Sequence, residues 1–136
     1  MPLLTLTADL VIAGICLGAG LHHAQVAIRR RDPSSTAFLV LALIACLLEV
    51  MTALRYVTWP VDAAARVEHT RLLAALLGGP ALAVFLWTRT RGLPRGWMMA
   101  LTGGLLIPPL AHVALPGGLG LRVDEVQAWL TPWGDT

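Results

Sequence analysis

Lysine is absent from this chain of 136 residues, and charge of either sign is scarce: ten arginines and eight acids are spread along it with four histidines. Without lysine there is no amine for a retinal Schiff base and no P-loop lysine to hold a nucleotide phosphate. A glycine-rich phosphate loop and a nucleophile elbow are missing too, as is any cysteine and histidine spacing suited to zinc, so a soluble-type enzyme is not expected. The two cysteines, Cys16 and Cys46, fall inside apolar runs, where a thiol acts as a small buried hydrophobe and no stapling disulfide is expected. Arginines scattered through short loops, without interleaved aromatics, do not make a nucleic-acid surface. The first apolar run has no basic segment before it and ends in histidines and arginines, not in a small-residue cleavage site, so it reads as a retained helix.

What is there is apolar. Hydrophobic residues make up 57% of the chain and charged ones 13%, and the mean hydropathy is +0.72. A bilayer is the natural solvent for such a composition. The runs predict four transmembrane helices over 10–28, 36–58, 72–88 and 97–115, each near the length that crosses ~30 Å of hydrocarbon. The expected fold is an all-α bundle of these four helices in a single domain. Arg29, Arg30, Arg31, Arg89, Arg91 and Arg95 crowd the two short hairpin loops against Asp32 alone. By the positive-inside rule those loops are cytoplasmic and both termini face out. All-arginine usage suggests a GC-rich bacterial genome, hence a bacterial cytoplasmic membrane with periplasmic termini. Trp59, Trp87, Trp97, Trp129 and Trp133 fall at or beyond span ends, as interfacial anchors do. Leu119, Val123, Val126 and Leu130 repeat at helical spacing, predicting an amphipathic interfacial helix over 119–130.

Three spans carry unusual features. Pro108-Pro109, after Gly103-Gly104, predicts a kink or short unwound stretch in the fourth, and Gly78-Gly79-Pro80 a weaker one in the third. In the first, Gly14 and Gly18 share a helical face on which a neighbouring backbone can approach closely, and His22 continues that stripe. His23 is rotated about 100° from it.

Glu49 is the most informative residue, because a carboxylate inside a span costs several kcal/mol unless it is protonated or partnered, and it should therefore point into the bundle. Arg55, roughly 9 Å further along the axis and on another face, is not its helix partner and snorkels outward. Counted from the outer surface, Glu49 lies roughly 13 Å deep and His22 roughly 20 Å, so the two are expected to meet directly or through one water. The pair would serve proton transfer, a quinone or a substrate, or else a structural hydrogen bond between helices. His69 begins the third span and His112 ends the fourth, so a bis-histidine haem between them, or a single-histidine contact to haem or a chlorophyll-type pigment, is geometrically conceivable. The alternative for His69 is an ordinary histidine at the water boundary.

The segment from Arg29 to Trp87, two spans around the amphipathic turn Val61 to Arg71, resembles the first half of the multi-span sensor domains that precede bacterial histidine kinases. That resemblance, over under half the chain, implies a sensory or regulatory membrane module. The residues themselves favour a small non-catalytic subunit docked with other membrane subunits, or with itself, in a respiratory or photosynthetic type of assembly. The alternative is a compact homodimeric transporter or channel with Glu49 as its coupling acid.

Overall fold

The computed structural model describes residues 2–57, 60–90 and 94–115, together with the backbone of 130–131 and 134–135. It contains four helices, α1 (Pro2–Arg30), α2 (Pro33–Arg55), α3 (Val61–Thr90) and α4 (Arg95–Ala114), all long and apolar enough to cross a membrane. A two-residue antiparallel pairing, Leu130–Thr131 with Gly134–Asp135, is the remaining regular structure among the described residues. Residues 119–129 of the expected amphipathic helix lie outside the described residues, and Leu130 belongs to that strand pairing instead.

Local chemistry sets the helix ends. After Arg30, Arg31 takes a left-handed conformation with φ 48°, the geometry that closes helices and favours glycine. Asp32 then caps α2: its carboxylate accepts from the Ser34 and Ser35 amides at 3.3 and 3.0 Å and from the Ser35 hydroxyl at 2.7 Å. Pro33 follows at the first helical position, where a missing N–H costs nothing. The Ser35 hydroxyl is the main reason the Asp32 carboxyl is held below its usual range, helped by those amides and by the charge of Arg89 across the neighbouring hairpin. At the other end of α2 the Tyr56 and Val57 amides donate to the Ala53 and Leu54 carbonyls, tightening the last turn before Pro60 leads into α3.

Two expectations about helix extent change. α3 begins at Val61, well before the apolar run, because Val61–Arg71 contains no glycine or proline to interrupt it and is rich in alanine. α1 likewise begins at Pro2 and takes in Asp9. Of the two forms expected for the irregularity in α4, an unwound stretch is absent: the helix is continuous through Pro108 and Pro109, as α3 is through Pro80. The prolines cannot donate to the Gly104 and Leu105 carbonyls, yet within a membrane a helix is kept by its remaining bonds and its neighbours.

The helices pack chiefly in chain order: α1 on α2, α2 on α3, α3 on α4. Among the described residues no comparable interface joins α1 to α4, so the four helices are arranged as an open antiparallel row. The side chains show why. The buried apolar positions are Ala13, Ala37, Ala42, Ala53, Ala74, Ala83 and Met98, whereas Leu, Ile and Val crowd the outside. Small residues let backbones approach, and lipid tails, as apolar as leucine, give no drive to close the ring. α4 turns bulky Met99, Leu101, Ile107, Leu110 and Val113 outward. Gly20 marks one close approach, since a Cβ there would stand 3.3 Å from Ala42 Cβ and 3.5 Å from Leu39 Cδ1.

Candidate functional site

Three contacts set the levels of the row: Gly20 lies opposite Ala42, Phe38 opposite Phe85, and Gly79 opposite Leu105. Both arginine hairpins therefore sit at one end, and the N-terminus and the turn after α2 at the other. Counting along antiparallel helices places Glu49 level with Ala13 of α1 and Ala74 of α3, and Asp9 level with Ala53.

Glu49 is half-buried and makes no hydrogen bond or ion pair among the described residues. Its flanking helices offer alanine at that height, which leaves room beside the carboxyl but no donor. Asp9, one turn nearer the N-terminus, has its Oδ2 buried without a hydrogen-bond partner. The α1–α2 seam thus holds two acids without intramolecular donors. Asp9 was missed in the sequence because a lone acid ahead of an apolar run reads as a loop residue, although the helical run of Leu3, Leu4, Leu6 and Ala8 before it was the available signal.

His22 does not meet Glu49. By the Gly20–Ala42 register His22 lies near the level of Val40, about 14 Å from that of Glu49 at 1.5 Å per residue. It also faces away: Gly14, Gly18, His22 and Gln25 all lie on the exposed side of α1, and nothing comes within 4 Å of a Cβ built at either glycine. Gly14 and Gly18 consequently pack no helix of this chain, a role taken by Gly20. The depth count failed because it began α1 at Leu10 and carried no rotational reference between helices. His23 is the inward histidine of the pair. Its ring lies 4.2 Å from that of Phe38, which in turn meets Phe85 of α3 at 5.6 Å, and its Nδ1 is buried without a hydrogen-bond partner.

The structure does bring His69 and His112 together. His112 is 0% exposed, and the two rings stack at 3.9 Å between centroids with 29° between planes. His112 Nε2–H donates to the His69 carbonyl at 3.2 Å, which assigns that proton to Nε2. An axial haem pair would hold its nitrogens about 2 Å from an iron on opposite faces of a porphyrin. Rings in contact leave no plane for the macrocycle, so the pair as placed is an interhelical lock between α3 and α4. Beside it Glu68 is bidentate with Arg71, its Oε2 accepting from Arg71 Nε at 3.0 Å, and Arg55 Nε stands 4.0 Å from the same carboxylate. Arg55, with a side chain 64% exposed, thus reaches α3 and not Glu49. No group of three or more His, Cys, Asp or Glu side chains able to hold a metal occurs among the described residues.

Comparison of the chain with protein-family models, curated proteins and solved structures returned no match.

Proposed function

We propose that this chain is a small non-catalytic membrane subunit that docks through α1 into a larger complex, of respiratory or photosynthetic type. The observation that carries the reading is the stripe Gly14, Gly18, His22 and Gln25 on the outside of an end helix in an open row. Two glycines let a foreign backbone approach, and an imidazole and a carboxamide directed at lipid gain hydrogen bonds only from something that docks there. His22 is the side chain through which that face would reach a partner's polar group, a quinone, a haem or a chlorophyll-type magnesium. In this reading the arginine hairpins lie in the cytoplasm of a bacterium, both termini lie outside, and the tail rests on the outer surface.

The test is purification of the native chain in mild detergent beside Gly18→Leu and His22→Leu. Defined companion subunits should accompany the native chain and be lost from Gly18→Leu, with any haem or chlorophyll band weakened in His22→Leu. A colourless, homogeneous monomer or dimer, unaffected by either change, would overturn the reading. Unpartnered Glu49 favours a second one, a homodimeric proton-coupled transporter. Proteoliposome flux that survived Glu49→Gln would remove it.

A further inference from the structure

On one side of the row, α2, α3 and α4 enclose an open groove of about 590 Å³. Val40 and Ile44 form one wall, Pro80 and Ala81 the floor, and Leu106 the facing wall. It reaches the hairpin end at Pro33 and Thr88. From Pro33 to Ile44 is eleven residues, about 16 Å of helix, which matches half of a ~30 Å hydrocarbon core. The groove is therefore apolar, one leaflet deep, and opens at the level of the headgroups.

Arginines flank its mouth without lining it. Arg89 follows Thr88 and is rotated about 100° from it around α3, Arg31 is two residues before Pro33, and Arg95 lies two turns before Thr102 on the same face of α4, Thr102 itself lining the groove. All three arginines are exposed, and none forms an ion pair among the described residues. The one carboxylate in the adjoining hairpins, Asp32, has both oxygens hydrogen-bonded by Ser34 and Ser35 in capping α2; its charge also acts on Arg89, which leaves two positive charges in excess among the three arginines and this acid. A guanidinium fork matches phosphate and carboxylate alike, and phosphate is the anion that every phospholipid headgroup supplies at that level. Arg31 also holds a left-handed conformation that glycine would take without strain.

We infer that this groove is a binding site for an anionic phospholipid, one acyl chain lying along Pro80 and Ala81 and the phosphate held at the mouth by Arg31, Arg89 and Arg95. The occupant is set by the two chemistries together. An acyl chain alone would not need the arginines, and a free phosphate would not need a leaflet-deep apolar floor. Basic pockets between membrane helices are general sites for anionic headgroups. The site is independent of the docking face on α1.

Native mass spectrometry of the full chain in detergent, titrated with dioleoylphosphatidylglycerol or dioleoylphosphatidylcholine, tests it. The anionic lipid should be retained over the zwitterionic one by about tenfold, and the Arg89→Gln, Arg95→Gln pair should bring that preference close to one. Arg31→Gly should weaken lipid retention while leaving helix content and thermal stability equal or higher. Ala81→Phe, which fills the floor and keeps every charge, should also release the lipid; Val40→Phe replaces it if that variant does not fold. Equal retention of the two lipids, or retention unaffected by the charge changes, overturns the proposal. So does displacement by millimolar inorganic phosphate alone, which would make the mouth a phosphate site. Retention unaffected by groove filling, or a dimer that dissociates in Ala81→Phe without any lipid effect, overturns it as well.

Discussion

Among the described residues, His112 is the largest side chain wholly enclosed. It sits in a medium where an unpaired polar group is expensive, so its stack on His69 and its bond to the His69 carbonyl hold α4 to α3 at one height. His112→Ala should cost about 2–4 kcal/mol through a cavity and a lost bond, and His69→Ala, at a half-buried ring, clearly less. Unfolding in mixed micelles at increasing dodecyl sulfate measures both, and equal losses would show that the burial of His112 is not what matters. Asp32 makes a pH prediction. Its folded pKa is depressed, first by the Ser35 hydroxyl, so its contribution is complete above the unfolded carboxylate value of about 3.9 and fades as pH falls through the lower folded one. The native chain should outlast Asp32→Asn by the widest margin near neutral pH, with the two melting curves converging in acid. At this scale the sequence was only partly legible. Residue types that mattered stood out by being polar within apolar runs, among them Glu49, His69 and His112. Their partners did not, because a helix rotated by 100° presents a different residue, and nothing in the order of letters reports that rotation.

Among elements, the α1–α2 seam turns on which glycine is inside. A Cβ at Gly20 would press on Ala42 at 3.3 Å, while Gly14 and Gly18 look onto open space. Gly20→Leu should therefore part the hairpin and lower the melting temperature of the isolated chain. Gly18→Ala should leave it unchanged or raise it, since alanine exceeds glycine in helix propensity by about 0.5–1 kcal/mol. Circular dichroism melts in one detergent decide it, and the reverse order would mean that α1 is rotated from the position described. The spans themselves were readable because length and apolarity, the properties lipid selects for, are carried by composition. Their ends were less so. Val61–Arg71 is too polar to look like membrane yet belongs to α3, and Pro108-Pro109, which reads as a site of unwinding, lies within continuous helix.

For the molecule as a whole, both arginine hairpins share one end, and the proposed topology puts that end in the cytoplasm. With Cys16→Ala and Cys46→Ala as background, Arg31→Cys should resist a membrane-impermeant maleimide in intact cells and react after permeabilisation. Labelling at position 31 from outside would reverse the topology and with it the side on which the lipid groove opens. That the four helices form an open row could not be read beforehand. Both end helices turn leucine and isoleucine outward, and both have glycines with open space beside them, Gly14 and Gly18 on α1 and Gly103 and Gly104 on α4, so the letters alone do not say whether those faces meet.

Because each helix touches chiefly the one made just before it, nearly every tertiary contact spans a short stretch of chain. Assembly can then keep pace with synthesis: a hairpin of α1 and α2 is complete before the ribosome has finished α3, and no late-arriving segment must wedge between helices already joined. The same topology makes the connection between α2 and α3 a natural cut point, and the two halves, expressed as separate polypeptides, should find each other across the α2–α3 seam alone.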